Sequence, residues 1–383
     1  MGSLRAHYFG LHDHYQQVGF NFKPRKPQRD VSIQLAVALE WYGAGGNGNS
    51  LRRIARVYKL GAGTVSLYAR RVQRALLPHY SKFVCCPSAY RRSVSAAFHR
   101  ERYGLDGVVG MVDGMHVIVD QKPAIDGAIH FNMKCRYSFN VQIFCDEDKR
   151  IIMAYTGWPG LCADSTVFGK TPVFTRPYDF FSPREFLRGD TGYALSNYLI
   201  TPYKRPASDH PDNKVFNEVV SSARVLNENC VGLWKNRWMS LKGIRTQLKT
   251  VSEFKFVNNH IPACVLLHNI GLDRSDEWDD ASIPDAEEER RLSALLFNAE
   301  PSSKSEGVKR RESLRELLFT GSSKSPIRPK HLSQLHRLIE IREVSSDLSW
   351  ENAFENGIDF IVRLTHVEEL DDHVVSLLQT LFT

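Results

Sequence analysis

Hydrophobic positions along the chain change period near residue 105. Before that point the spacing is helical. Val31 to Tyr42 is rich in Leu, Ala and Val and stops at Gly43-Ala44-Gly45-Gly46, which predicts a helix and a flexible turn. Ser50 is a candidate N-cap for a second helix, whose apolar residues Leu51, Ile54, Ala55 and Tyr58 recur at helical spacing. After the break at Leu60-Gly61-Ala62-Gly63 the helical pattern resumes from Thr64 to Val72, and again from Ser88 to Arg102. Beyond residue 105 the runs become short. Gly107 to Asp113 is apolar and ends in a carboxylate. Asn140 to Asp146 alternates as a strand, Asp146-Glu147-Asp148-Lys149 reads as a turn, and Arg150 to Thr156 returns to complete a hairpin. Phe186 to Asp190 is a second short run ending in Asp. Helical spacing returns over Leu226 to Leu241 and Ile261 to Leu272.

An all-helical front followed by mixed elements predicts an α/β chain of two units. The boundaries read from the pattern are a basic N-terminal arm over 1–30, a helical unit over 31–103 and a mixed unit over 104–273. An acidic and Ser-rich linker with short helices follows over 274–329, then a C-terminal helical extension over 330–383. In that extension Leu332, Leu335, Leu338 and Ile339 share one helical face, as do Leu370, Val374, Leu377, Leu378 and Leu381.

Composition narrows the class. The chain has 383 residues, 42% of them hydrophobic, enough for real cores. No apolar run has membrane length, and Met1 to Asp30 lacks the apolar centre of a secretion signal. Seven cysteines without a C-x-x-C pair suggest free thiols, not a disulfide framework or a zinc site. The charge of +7 is unevenly spread. Between Glu40 and Glu101 there are eleven Lys and Arg and no acid, whereas Asp273 to Glu289 holds nine acids and only Arg274. A segment of one sign points to a polyanion, because solvated faces usually mix signs. The cluster Lys23-Pro24-Arg25-Lys26-Pro27-Gln28-Arg29 reads equally as a nuclear import signal or a solvated basic arm.

The basic segment has helix-turn-helix spacing. Ala55 is small where two helices would cross, and Gly61 permits the turn and can cap the second helix. Arg52, Arg53 and Arg56 lie on the first helix, and Thr64, Ser66, Arg70, Arg71 and Arg74 on the second. They are the candidate contacts to duplex DNA, guanidinium groups on phosphate and the second helix in the major groove. The alternative is a helical hairpin with a solvated basic face.

Three acids are candidates for chemistry. Asp113 and Asp190 each close an apolar run, and carboxylates at the ends of adjacent strands can converge. Converging carboxylates repel unless a cation lies between them, and an oxygen-only donor set suits Mg²⁺ or Mn²⁺. Glu228 falls on a helix with Val231 and Trp238, which read as core positions. Taken singly, each acid is readable as a turn or surface residue; their joint occurrence makes the case.

The order of short motifs supplies more. Val108 to Val117, Tyr137 to Asp146, Gly157-Trp158-Pro159-Gly160-Leu161-Cys162-Ala163-Asp164-Ser165, Leu187-Arg188-Gly189-Asp190-Thr191-Gly192-Tyr193, the Glu228 helix and Ala263 to Asn269 together resemble the PIF/Harbinger-type DDE transposases and their domesticated nuclease relatives. The resemblance spans about residues 105–275. It implies an RNase H-like catalytic domain, a mixed sheet flanked by helices, behind the helix-turn-helix unit. It assigns Asp113, Asp190 and Glu228 as catalytic metal ligands and adds Asp164 as a fourth site residue, either a further metal ligand or a group that orients the ligands. Two Mg²⁺ or Mn²⁺ ions would serve hydrolysis of a DNA phosphodiester and transfer of the resulting 3′-OH. Lys134, Arg136, Lys235 and Arg237 become candidate phosphate contacts. The implied setting is the nucleus, with element-end and target DNA, a Myb-like DNA-binding partner and a homo-oligomer. The sequence departs from the family in having Cys162 and Ala163 where a His is common, and Asn229 where another is. A DNA-binding scaffold with a relic centre is the competing reading, opposed by the intact acids.

Overall fold

The computed structural model describes residues 29–222, 224–273 and 304–320. The acidic stretch from Arg274 to Glu289, the extension over 330–383 and all of the basic arm but Arg29 and Asp30 lie outside the described residues. In chain order the principal elements are α1 (Val31–Gly43), α2 (Leu51–Val57), α3 (Ala62–Leu76), α4 (Ala89–Tyr103), β1 (Val108–Ile118), β2 (Ser138–Cys145) and β3 (Ile151–Pro159). They continue with α5 (Asp164–Phe168), β4 (Phe186–Arg188), β5 (Leu199–Ile200), α6 (Pro211–Ser222), α7 (Arg224–Arg237), α8 (Val251–Leu272) and α9 (Lys304–Thr320).

Local chemistry sets the helix starts. Asp30 caps α1 by accepting from the Ser32 amide at 2.8 Å, and Ser50 caps α2 by accepting from the Arg53 amide at 3.2 Å. Thr250 and Glu253 form a capping box at the head of α8, ten residues before the Ile261 start that the pattern suggests. Pro262 sits inside that helix and resembles a helix-start residue when only the sequence is read.

The five strands form one mixed sheet in the order β3-β2-β1-β4-β5. β1 pairs antiparallel with β2, and β2 with β3, completing the predicted hairpin. β4 runs parallel to β1 and to β5. β1 does not stop at Asp113. It continues to Ile118 because Met115 and Val117 stay buried in alternation with Gly114 and His116.

The predicted division between a helical front and a mixed unit is not a division of cores. Val37, Tyr42, Ile54, Val65, Ala69 and Val72 belong to the same buried cluster as Met111, Val141, Trp234, Val257 and Leu266. Trp41 of α1 stacks on Phe256 of α8 at 5.3 Å. α4 packs directly on β1. Asn269 pins α8 to the sheet, accepting from the Ile151 amide at 3.1 Å and donating to the Ile151 carbonyl at 2.8 Å.

The opposite face of the sheet carries a second cluster built on Val112, Phe144, Phe168 and Tyr193. A third lies at the β4–β5 edge, where Phe186, Ile200 and Phe216 meet Leu314. Leu314 belongs to α9, so part of the segment expected to be linker is a 17-residue helix docked on the domain. Arg310 donates to the Asn197 carbonyl at 2.7 Å, and Tyr203 donates to Glu312 at 2.9 Å. Among the described residues no helix is long and apolar enough to cross a membrane.

Candidate active site

Parallel pairing brings the first two candidate acids side by side. The register of β1 and β4 ends at Met111 opposite Arg188; Asp113 follows two residues later within β1, and Asp190 two residues past the end of β4. Both are partly buried and line one cavity of about 90 Å³. Met111, Arg188, Thr191, Pro202, Ser221 and Asn227 complete much of its wall. Asp190 is oriented by the turn that follows it. Its Oδ1 accepts from the Gly192 amide at 2.8 Å, and a Cβ on Gly192 would come within 3.0 Å of that oxygen. The D-x-G spacing is thus an Asx turn that fixes the carboxylate at the strand end.

Glu228 stands differently. It lies in α7, exposed, while the residue before it, Asn227, is 2% exposed and lines the cavity. One helical step is a rotation of about 100°, enough to exchange a cavity-facing position for a solvent-facing one. Among the described residues no three His, Cys, Asp or Glu side chains are grouped to hold one metal ion. The structure therefore brings Asp113 and Asp190 to a common cavity and leaves Glu228 beside it.

Asp164 occupies the other face of the sheet. Strand alternation places Asp113 with Met111 and Met115, whereas Gly114 points the opposite way. The Asp164 carboxylate fills the space over Gly114, since a Cβ there would meet its Oδ1 at 1.9 Å. That oxygen accepts from Asn140 at 2.8 Å and from Gln142 at 3.0 Å. Gln142 in turn accepts from the Tyr193 hydroxyl at 2.5 Å. Burial holds the Tyr193 phenol well above its ordinary range, with the charges of Asp164, Asp113 and Asp190 adding to the shift. Tyr193 thus lies within electrostatic reach of acids on both faces, and Asp164 ties β2 to α5 and braces the strand that carries Asp113.

The candidate phosphate contacts divide in the same way. Lys134 and Arg136 are exposed. Lys235 donates to the His116 carbonyl at 3.1 Å. Burial, aided by Lys242 and Lys134, pulls its ammonium down to about 8. Arg237 turns inward and donates to the His268 carbonyl at 3.2 Å. On the helix pair, Arg52, Arg56 and Arg74 are exposed, and Thr64 and Ser66 are partly exposed. Arg53 pairs with Glu40 at 3.0 Å, Arg70 lies 4.1 Å over the Phe256 ring, and Arg71 donates to Gln34 at 3.2 Å. These three hold helices together.

Residues 112–269 match a family described as "DDE superfamily endonuclease". "Putative nuclease HARBI1" of Bos taurus is 28% identical over 262 residues, covering 67% of this chain and 72% of its own. The Homo sapiens protein of the same name is 27% identical over 262 residues, with the same coverage. "Protein ALP1-like" of Arabidopsis thaliana is 25% identical over 271 residues, covering 64% of this chain and 62% of its own. These matches make the chain similar to Harbinger transposase-derived nucleases over the span that carries the candidate acids. No solved structure matches it. The matched span starts within β1 and ends within α8, and it contains Asp113, Asp164, Asp190 and Glu228. The five-stranded mixed sheet flanked by helices fits such a domain. Enzymes of the DDE superfamily generally use divalent metals. The donor set is consistent with that: two carboxylates from adjacent strands share a cavity, with only oxygen ligands to offer a hard cation.

Sequence reasoning missed Asn227 and Arg188 as cavity residues. Arg188 appears in the sequence only as a motif letter beside Asp190. The one signal for Asn227 is its helical step from Glu228.

Proposed function

We propose that this chain is a divalent-metal-dependent DNA endonuclease with an RNase H-like catalytic domain. The observation that carries the reading is the shared cavity of Asp113 and Asp190 on neighbouring parallel strands, within the region matched to DDE endonucleases. Asp113 and Asp190 would hold the metal, Mg²⁺ or Mn²⁺, with Glu228 beside the cavity on α7. A bound divalent cation supplies a water of lowered pKa and charge neutralisation at the leaving 3′ oxygen. The protein's own part is to hold both carboxylates fixed. The Gly192 amide fixes Asp190. The strand pairing of β1 with β2, braced from the far face by Asp164, fixes Asp113. Transfer of the freed 3′ oxygen to a second DNA site is the transposase extension of this chemistry.

The same reading makes α2 and α3 a helix-turn-helix that grips duplex DNA through Arg52, Arg56 and Arg74, with Thr64 and Ser66 at the head of the second helix. Lys134, Arg136 and Lys235 supply further phosphate contacts. The setting is nuclear, in keeping with the basic cluster from Lys23 to Arg29, and the working form is a homo-oligomer assisted by a Myb-like partner. The test is cleavage of end-labelled duplex DNA with and without Mg²⁺ by wild type, Asp113→Asn and Asp190→Asn. Metal-dependent cutting by wild type alone is expected. Equal cutting by all three sinks the assignment.

A further inference from the structure

The cavity beside Asp113 and Asp190 contains hydrogen-bond donors that the protein does not satisfy. Arg188 is 3% exposed, and its Nε and one terminal nitrogen have no partner among the described residues. Its other terminal nitrogen donates to the carbonyls of Val219 and Val220, near the C-terminal end of α6. Among the described residues no carboxylate forms an ion pair with Arg188. Asn227 is 2% exposed, and neither atom of its amide has a partner among the described residues. Both side chains line the same cavity.

Buried donors without acceptors are costly and uncommon, and they concentrate where a ligand completes them. What these two side chains lack is acceptors within hydrogen-bond reach. The guanidinium and the amide offer several N–H groups against one orphaned acceptor, the Asn227 carbonyl oxygen. The volume of about 90 Å³ is several times the roughly 10–15 Å³ that one water requires. A group with several anionic oxygens fits this demand, and a planar guanidinium fork suits phosphate oxygens best.

We propose that Arg188 and Asn227 form a phosphate-positioning site in the nuclease cavity, donating to the non-bridging oxygens of the phosphodiester that lies against Asp113 and Asp190. The proposal rests on the nuclease reading and deepens it. Arg188 lies 5.3 Å over the Tyr103 ring and would have two duties: one nitrogen ties β4 to α6, and the rest of the fork is left for substrate.

The experiment uses the full chain in Mg²⁺ buffer with inorganic phosphate as the probe, read by thermal melting and by ³¹P line broadening. Saturating phosphate is expected to raise the melting temperature of wild type by about 2–4 °C. Asn227→Leu, nearly equal in volume, is expected to melt no lower than wild type without phosphate and to lose the shift. Arg188→Met is expected to lose the shift as well. Arg188→Lys, which keeps charge but not the fork, covers the case in which Arg188→Met does not fold, and is expected to lose at least half of it. Lys170→Ala, at an exposed position just after α5, is expected to keep the full shift. Absence of a phosphate shift in wild type, or its survival in Asn227→Leu and the Arg188 variants, overturns the proposal. A wild type that cuts DNA yet takes up no phosphate sinks this site alone. One that takes up phosphate yet cuts no DNA sinks the nuclease reading.

Discussion

Gly114→Ala is the most informative single-methyl perturbation of the site. Its Cβ would stand 1.9 Å from Oδ1, 2.2 Å from Cγ and 2.7 Å from Oδ2 of Asp164, so the carboxylate must leave. Asp164 is too short to move aside while keeping both bonds, at 2.8 Å to Asn140 and 3.0 Å to Gln142. Hydrogen bonds to a charged group contribute about 1.5–3 kcal/mol each. Asp164 is only partly buried and regains water on leaving, so the net loss is about 2–4 kcal/mol. The assay is urea unfolding of wild type, Gly114→Ala, Asp164→Ala and the double variant. Once the carboxylate is absent the added methyl has room, so Gly114→Ala should cost less than about 1 kcal/mol in the Asp164→Ala background. The coupling energy of the cycle is then about 1–3 kcal/mol. Additive effects, or a Gly114→Ala variant within about 0.5 kcal/mol of wild type, would refute the placement of Asp164 over β1.

Other outcomes follow from the same geometry. Because the Lys235 ammonium is held near 8, its charge is lost as pH rises through that value. DNA affinity should therefore fall between pH 7 and pH 9, and Lys235→Met should flatten the profile in fluorescence anisotropy. Arg52→Ala and Arg56→Ala should each reduce the slope of log affinity against log salt by about 0.9. Arg53→Ala should leave that slope unchanged and cost at most about 1 kcal/mol through its partly exposed pair with Glu40. Leu314→Ala should destabilise the chain by about 2–3 kcal/mol, because Leu314 is 8% exposed in the α9 contact; an unchanged urea midpoint would detach α9 from the domain.

Much of this arrangement is legible in the sequence, for identifiable reasons. The hairpin of β2 and β3 shows because apolar runs flank a four-residue polar turn with Lys149 at φ +65°. The run ending in Asp190 marks β4 correctly because Gly189 and Gly192 punctuate it. The end of β1 is hidden because Asp113 and Gly114 interrupt the apolar run, although Met115 and Val117 resume it in alternation. The merger of the N-terminal helices with the sheet's core is hidden for a different reason. Helical spacing reveals that a face is apolar but not what covers it, and the partners of Trp41 and Tyr42 lie about two hundred residues away, in α8 and just past the end of α7. The same limit applies to the basic helices. Arg52 and Arg53 are adjacent and identical in type, yet one is exposed and the other is engaged by Glu40. At the site, strand-end acids could be read from motif order, whereas the buried donors of Arg188 and Asn227 depend on how α6 and α7 close over β4.

On this reading Asp113 and Asp190 seat a divalent cation in one cavity. Iron-directed cleavage measures this without relying on enzymatic turnover. Fe²⁺ exchanged into the full chain, with ascorbate and peroxide, generates hydroxyl radicals that cut the backbone around the ion. Cuts clustered near residues 113, 190 and 227, suppressed by excess Mg²⁺ and absent in Asp113→Asn, are the expected result. Cleavage elsewhere, or an unchanged pattern in Asp113→Asn, would contradict it.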